Sequence, residues 1–198
     1  MPEISLRLKR MGKEFYSRPT AIVARELLGK YIVRYDKINL IGRIVEVEAY
    51  GGSDDPASHA ARGKTRRNEV MFNKPGSAYV YFIYGNHYCL NVVAHGGSSP
   101  GAILIRALEP ISGIEQMKKN RNLDDDLHLT SGPGRLTKAM NIDKVFNGVD
   151  LIRDKTLSIQ TTDEADVKFE TSKRIGIRKG IDREWRFIAM DSRFVSRR

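Results

Sequence analysis

Apolar residues along this chain come in short runs, and most runs alternate with polar positions instead of recurring every three or four residues. One helical pattern stands early. Ser17-Arg18-Pro19 supplies a capping residue and an early proline, Ile22, Val23, Ala24, Leu27 and Leu28 form an apolar face, and Gly29 stops it, which predicts a helix over 19–28. Strands are predicted over 31–35 and 40–50, joined by an Asp36-Lys37 turn into an antiparallel hairpin. From Gly51-Gly52 to Pro75 the chain is polar and too long for a plain connection, so a functional loop is expected. Further strands are predicted over 77–84, 88–94 and 102–108, the last ended by Glu109-Pro110. Ser112 is read as the cap of a helix running to about Asn120 with Lys and Met on an exposed face, and an acidic loop follows it. Ser131-Gly132-Pro133-Gly134 leads into a short helix over 135–140, whose first N–H groups either hold a phosphate or are simply capped. Segments 157–160, 167–170, 174–177 and 185–190 complete the strands, and there is no internal repeat. The expected architecture is α+β: a single domain over 1–198, with a curved antiparallel sheet surrounded by helices.

Residues 43–50, RIVEVEAY, break the apolar pattern with two carboxylates. Strict alternation puts Ile44, Glu46, Glu48 and Tyr50 on one face and Val45, Val47 and Ala49 on the core side. That face fits the floor of a wet pocket or a half-exposed strand with solvated acids, and the octapeptide alone does not choose. Between 79 and 88 stand five aromatics, Tyr79, Tyr81, Phe82, Tyr84 and Tyr88, with Tyr84 beside a Gly85-Asn86 turn and so near a hairpin tip. Exposed aromatic faces stack on bases for about 1–3 kcal/mol each, and a protruding ring can wedge into a duplex. Tyr79 and Phe82 are read as core.

Charge narrows the partner. With 34 Lys and Arg against 24 Asp and Glu the net charge is +10, which favours a polyanion, nucleic acid first. Arg62, Lys64, Arg66 and Arg67, interleaved with Gly63 and Thr65, form either a flexible loop able to follow phosphates or a solvated one. The lone cysteine, Cys89, excludes an internal disulfide and fits a reducing compartment. No run approaches the ~20 apolar residues that span a bilayer, and the segment MPEISLRLKRMGKEF lacks the apolar block of an export signal. A soluble protein is expected, cytoplasmic and nucleoid-associated if of prokaryotic type and nuclear if eukaryotic. His59, His87, His95 and His128 show no metal-binding spacing, and nucleotide-cofactor and hydrolase-elbow motifs are missing. The chemistry then falls to a carboxylate, with no cofactor and no metal; a nuclease carrying metal on Glu46 and Glu48 lacks further acids of obvious shared geometry.

RIVEVEAYGG, DDPASHA, RGKTRRN, MFNKPGSAYVYFIYGNHYCLNVV, AILIRALEP, SGPGRL and RIGI with WRF resemble, in this order over about residues 13–190, the alkyladenine (3-methyladenine) DNA glycosylase family. The resemblance implies a monofunctional base-excision enzyme without cofactor that binds double-stranded DNA as a monomer and flips out damaged purines, among them 3-methyladenine, 7-methylguanine, hypoxanthine and ethenoadenine. By the family's motifs Glu48 is the base that activates water and Arg106 helps to hold it, with Glu46 in support. Tyr50 stacks on the flipped base, His59 and Tyr81 close the other side, Asn91 lines the pocket and discriminates against normal guanine, and Tyr84 intercalates. Arg62, Lys64, Arg66 and Arg67 bind phosphates. The chain departs from many relatives in having Asn86 for Met after the hairpin tip and Arg66 for Pro in the basic loop. The family fold also resembles the C-terminal domain of methionyl-tRNA formyltransferases, so a non-catalytic nucleic-acid-binding module is the rival expectation.

Overall fold

In the computed structural model, which describes residues 7–97, 99–163 and 167–197, the β-branched and aromatic runs pair into antiparallel ladders. Residues 1–6, part of the segment read as lacking an export signal, lie outside the described residues. After strand β1 (Lys9–Arg10) and the one-turn helix α1 (Lys13–Tyr16), helix α2 (Thr20–Leu27) buries Val23, Ala24 and Leu27. Strands β2 (Tyr31–Asp36) and β3 (Ile38–Tyr50) turn through Lys37, whose φ is 63°. Then come β4 (Ala78–Ile83), β5 (His87–Val93), β6 (Ala102–Ser112), helices α3 (Ile114–Arg121) and α4 (Pro133–Ala139), and β7 (Leu157–Thr161), β8 (Phe169–Ser172) and β9 (Arg186–Ala189). No helix among the described residues is long and apolar enough to cross a membrane.

The strands form one sheet in the order β1-β7-β2-β3-β6-β5-β4, with β9 added to β3 and β8 to β9. Strand β3 is its axis. β6 follows one edge of β3, while the other edge is shared by β2 on the first half and β9 at residues 46–48. The sheet curls around a core in which Tyr16, Leu27, Ile32, Leu40, Ile44, Val47, Ile103, Ile105, Leu108 and Met117 meet. Helix α4 packs across β5 and β6, and α2 across β3, so the architecture is α+β.

Two irregularities in the β3–β6 ladder correct the expected facing of RIVEVEAY. The register runs Ile44↔Leu108, Glu46↔Ala107, Val47↔Ile105, which leaves Val45 extra on β3 and Arg106 extra on β6. A bulge of this kind shifts the side-chain alternation by one. Ile44 therefore joins the main core with Val47 and Ala49, and Val45 moves to a separate cluster with Ala107 and Ala189.

Other expectations are corrected too. Strand β6 passes through Pro110 to Ser112, and a third register shift, near Gly42, accommodates the missing N–H. Gly113, with φ 74°, stands at the N-cap of α3 in place of Ser112, since the strand-to-helix turn needs left-handed backbone; Met117 is buried. Helix α4 begins two residues earlier than expected, at Pro133, which suits a first-turn position. Segment 174–177 is no strand: Gly176 has φ 75° and Arg174 turns inward. Phe82 is 48% exposed, because burial fades towards the tip of the β4–β5 arm, where it packs on Tyr88 at 5.0 Å.

Candidate active site

The C-terminal half of β3, the loop after it, the β4–β5 arm and segment 175–179 enclose a cavity of about 570 Å³. Tyr50, His59, Tyr81, Tyr84, Asn91 and Arg106, all singled out from the sequence, line it together with Tyr79 and Cys89. The His59 and Tyr81 rings meet edge-on at 4.8 Å, and His59 Nδ1 lies 3.0 Å from the Tyr79 hydroxyl. Burial, and then the charge of Arg67, hold the His59 pKa below its usual value, so this wall carries a neutral imidazole at pH 7. Burial first, and a neighbouring carboxylate second, push the Tyr50 phenol well above its usual range, leaving it a hydrogen-bond donor. Asn91 is anchored by Nδ2 donating to Tyr79 O at 3.0 Å, across the register pair of β4 and β5.

Glu48 does not itself line this wall. It is 0% exposed and sits behind Tyr50 and Arg106, so a wholly solvated acid is excluded. Its Oε2 accepts the Tyr50 hydroxyl at 2.7 Å and lies 3.3 Å from Arg106 Nη1; its Oε1 accepts Ile175 N–H at 2.7 Å. Glu46, also 0% exposed, has different company. Arg106 Nε and Arg186 Nε donate to its Oε1 at 3.0 and 2.8 Å, Ser196 Oγ donates to Oε1 at 2.9 Å, and Ser196 N–H to Oε2 at 2.6 Å. Burial works to strip the proton from Arg106, but Glu48 and Glu46 outweigh it and hold its pKa above the usual arginine value. Buried acids are tolerable when paired and hydrogen-bonded in this way. The bulge that leaves Arg106 unpaired on β6 is what turns its guanidinium between the two acids.

At the rim of the cavity, Tyr84 is 82% exposed and has φ 55°, a left-handed conformation uncommon for a bulky residue, at the turn of the β4–β5 arm. Arg62, Lys64, Arg66 and Arg67 are exposed, and none of them lines the cavity. Their loop is more ordered than the glycine suggested. Buried Asn68 accepts Thr65 N–H at 2.6 Å and donates to His59 O at 2.7 Å and Gly63 O at 2.9 Å. Arg67 rests over the Tyr81 ring at 5.9 Å and donates to Phe82 O at 3.4 Å. Among the described residues no group of three or more His, Cys, Asp or Glu is placed to hold a metal ion.

Sequence reasoning missed three charged members of the site. Asp55 and Arg174 form a buried pair behind Tyr50, and Arg186 caps Glu46. Asp55 read as one acid of a polar loop and Arg174 as part of a strand. The apolar neighbours of Arg186, Trp185 and Phe187, were the available signal there, since a charge inside a buried run needs a partner; Arg174, next to Lys173, offered none.

A family model described as methylpurine-DNA glycosylase matches residues 14–193. The chain is 48% identical to a protein of Koribacter versatilis, with 99% of this chain and 98% of the relative covered. It is 48% identical to one of Carboxydothermus hydrogenoformans, covering 95% and 99%, and 43% identical to one of Clostridium novyi, covering 96% and 100%. All three relatives are provisionally named 3-methyladenine DNA glycosylases.

Proposed function

The chain belongs to the methylpurine-DNA glycosylase family, and from that premise we propose that it hydrolyses the N-glycosidic bond of alkylated or deaminated purines flipped out of duplex DNA, with Glu48 activating the water. Membership makes it a DNA N-glycosylase of base-excision repair. The lesion class, the residue roles and the monofunctional course are our reading.

The observation that carries this reading is a buried carboxylate held by three residues that line an aromatic cavity of about 570 Å³. Cavities of about 300–1,000 Å³ hold drug-sized and cofactor-sized ligands, and a purine is smaller than most of these. A carboxylate offers about four lone-pair sites. Tyr50, Arg106 and Ile175 approach three of those of Glu48, which leaves one for the O–H of a water. In the step proposed, the water oxygen bonds to C1′ of the flipped nucleotide, the C1′–N electron pair leaves with the base, and the water proton passes to Glu48. Positive charge developing at C1′ is stabilised by the same carboxylate. A purine alkylated at N3 or N7 is already cationic and leaves without further protonation, whereas neutral hypoxanthine also needs a proton.

The remaining roles follow from position. Tyr50 offers its ring as a platform, His59 and Tyr81 close the slot, and Asn91 at its edge rejects the exocyclic amino group of normal guanine. The exposed Tyr84 ring fills the gap left in the stack, offsetting part of a flipping cost of a few kcal/mol. Arg62, Lys64, Arg66 and Arg67 hold backbone phosphates, and one copy of the chain serves one duplex. Glu48→Gln tests the assignment. Base release from duplexes carrying 3-methyladenine or hypoxanthine should fall by about 10²–10⁴-fold, with affinity for the same duplexes kept; release at the wild-type rate would show that Glu48 is not the base.

A further inference from the structure

Asp55 and Arg174 have no role in the scheme above, yet both side chains are wholly buried against its central ring. Arg174 Nη1 donates to Asp55 Oδ2 at 2.6 Å and to Ala49 O at 2.9 Å; Nη2 donates to Asp55 Oδ1 at 2.8 Å and to Gly180 O at 3.1 Å. Asp55 also accepts the N–H groups of Gly51 at 2.9 Å and Ala57 at 3.2 Å. The pair thus ties together the end of β3, the loop that leads to His59, and the segment contributing Ile175 and Lys179 to the cavity wall. The guanidinium carbon stands 4.8 Å from the Tyr50 ring centroid. Tyr50 lines the cavity and Arg174 does not, so the cation backs the ring from the protein side. Ile175, the next residue, gives its N–H to Glu48.

Resting on the base-excision reading, we infer that Asp55 and Arg174 are positioning and selectivity residues: they fix the Tyr50 platform and the Ile175 N–H on Glu48, and they cancel the charge behind the platform so that cationic and neutral purines both stack on it. The fork of Arg174 is what satisfies both oxygens of Asp55 and two carbonyls at once, which a lysine does not do. The charge consequence follows from the ring quadrupole. An unbalanced guanidinium behind Tyr50 competes for its π density and repels a cationic base on the front face; an unbalanced carboxylate does the reverse.

The two partners therefore make opposite predictions. Single-turnover excision of 7-methylguanine, a cation, and of hypoxanthine, neutral, is measured for Asp55→Asn and Arg174→Gln, with melting temperature and undamaged-duplex affinity alongside. Both variants should excise up to about 100-fold more slowly, as misplaced reacting groups do, while affinity for undamaged duplex stays within about twofold. The ratio of 7-methylguanine to hypoxanthine excision should fall several-fold for Asp55→Asn and rise several-fold for Arg174→Gln. A role confined to stability moves both ratios alike or neither, and that result, or wild-type rates in both folded variants, overturns the inference. If either variant does not fold, Arg174→Lys replaces it: the cation stays and the fork is lost, so both lesions should slow with their ratio kept, and a wild-type rate overturns the positioning role. A wild-type chain that releases neither base would instead remove the base-excision reading on which the inference stands.

Discussion

Glu46 and Glu48 stand two residues apart on one strand and are equally buried, yet their partners divide them. Four donors hold Glu46, three on Oε1 and one on Oε2, so it is a fixed counter-charge for Arg106 and Arg186. Glu48 takes one donor fewer and touches three residues of the cavity wall, Tyr50, Arg106 and Ile175, which is the position a base needs. His59 carries a separate prediction at this scale. Burial, then Arg67, depress its pKa, so its ring should titrate below the unperturbed value of about 6.5, with the midpoint read by NMR of the imidazole protons. The sign follows from linkage. Its contribution to stability is complete above about 6.5 and is lost as pH falls towards the folded value, because the unfolded chain takes up the proton first. The same wall should therefore remain uncharged, and able to stack, throughout the neutral range.

At the scale of elements, strand alternation explains most of the fold and bulges explain the site. Without the extra residues Val45 and Arg106, Ile44 would leave the core and the guanidinium of Arg106 would turn from between the acids. The turn of the β4–β5 arm holds Tyr84 in left-handed backbone beyond the core, which is how an apolar ring comes to be exposed. In the long loop after β3, Asn68 is the fastener. Asn68→Ala should remove three hydrogen bonds that tie residues 59–68 together and lower stability by about 1–3 kcal/mol. Denaturant unfolding reads the loss, and faster amide exchange confined to 59–68 should locate it.

Across the whole molecule, the charge of +10 and the exposed cations of the basic loop bear on how the chain meets DNA. Duplex affinity should fall linearly with the logarithm of salt concentration, and replacing Arg62 or Lys64 by Ala should flatten the slope by about 0.9 for each phosphate left without its cation; titrations at several salt concentrations measure it. This much was legible from composition. So were the hairpins, the tip position of Tyr84 and the placing of two acids on one strand, because alternation and turn residues act over a few positions. The likeness of the motifs picked out Tyr50, His59, Tyr81, Asn91 and Arg106, and the folded chain brings all of them to one cavity. What local pattern misread has one physical cause. The face of Ile44, the exposure of Phe82 and the inward turn of Arg174 depend on which distant segments meet. Asp55 and Arg174 lie 119 residues apart, and no periodicity links them. The sequence by itself determined most of the strands, the excess of positive charge and the presence of an acid beside a tyrosine. Only the tertiary structure decided that the acid is buried, that two arginines hold its neighbour, and that a buried ion pair backs the ring, since burial and pairing of charge are properties of the packed whole.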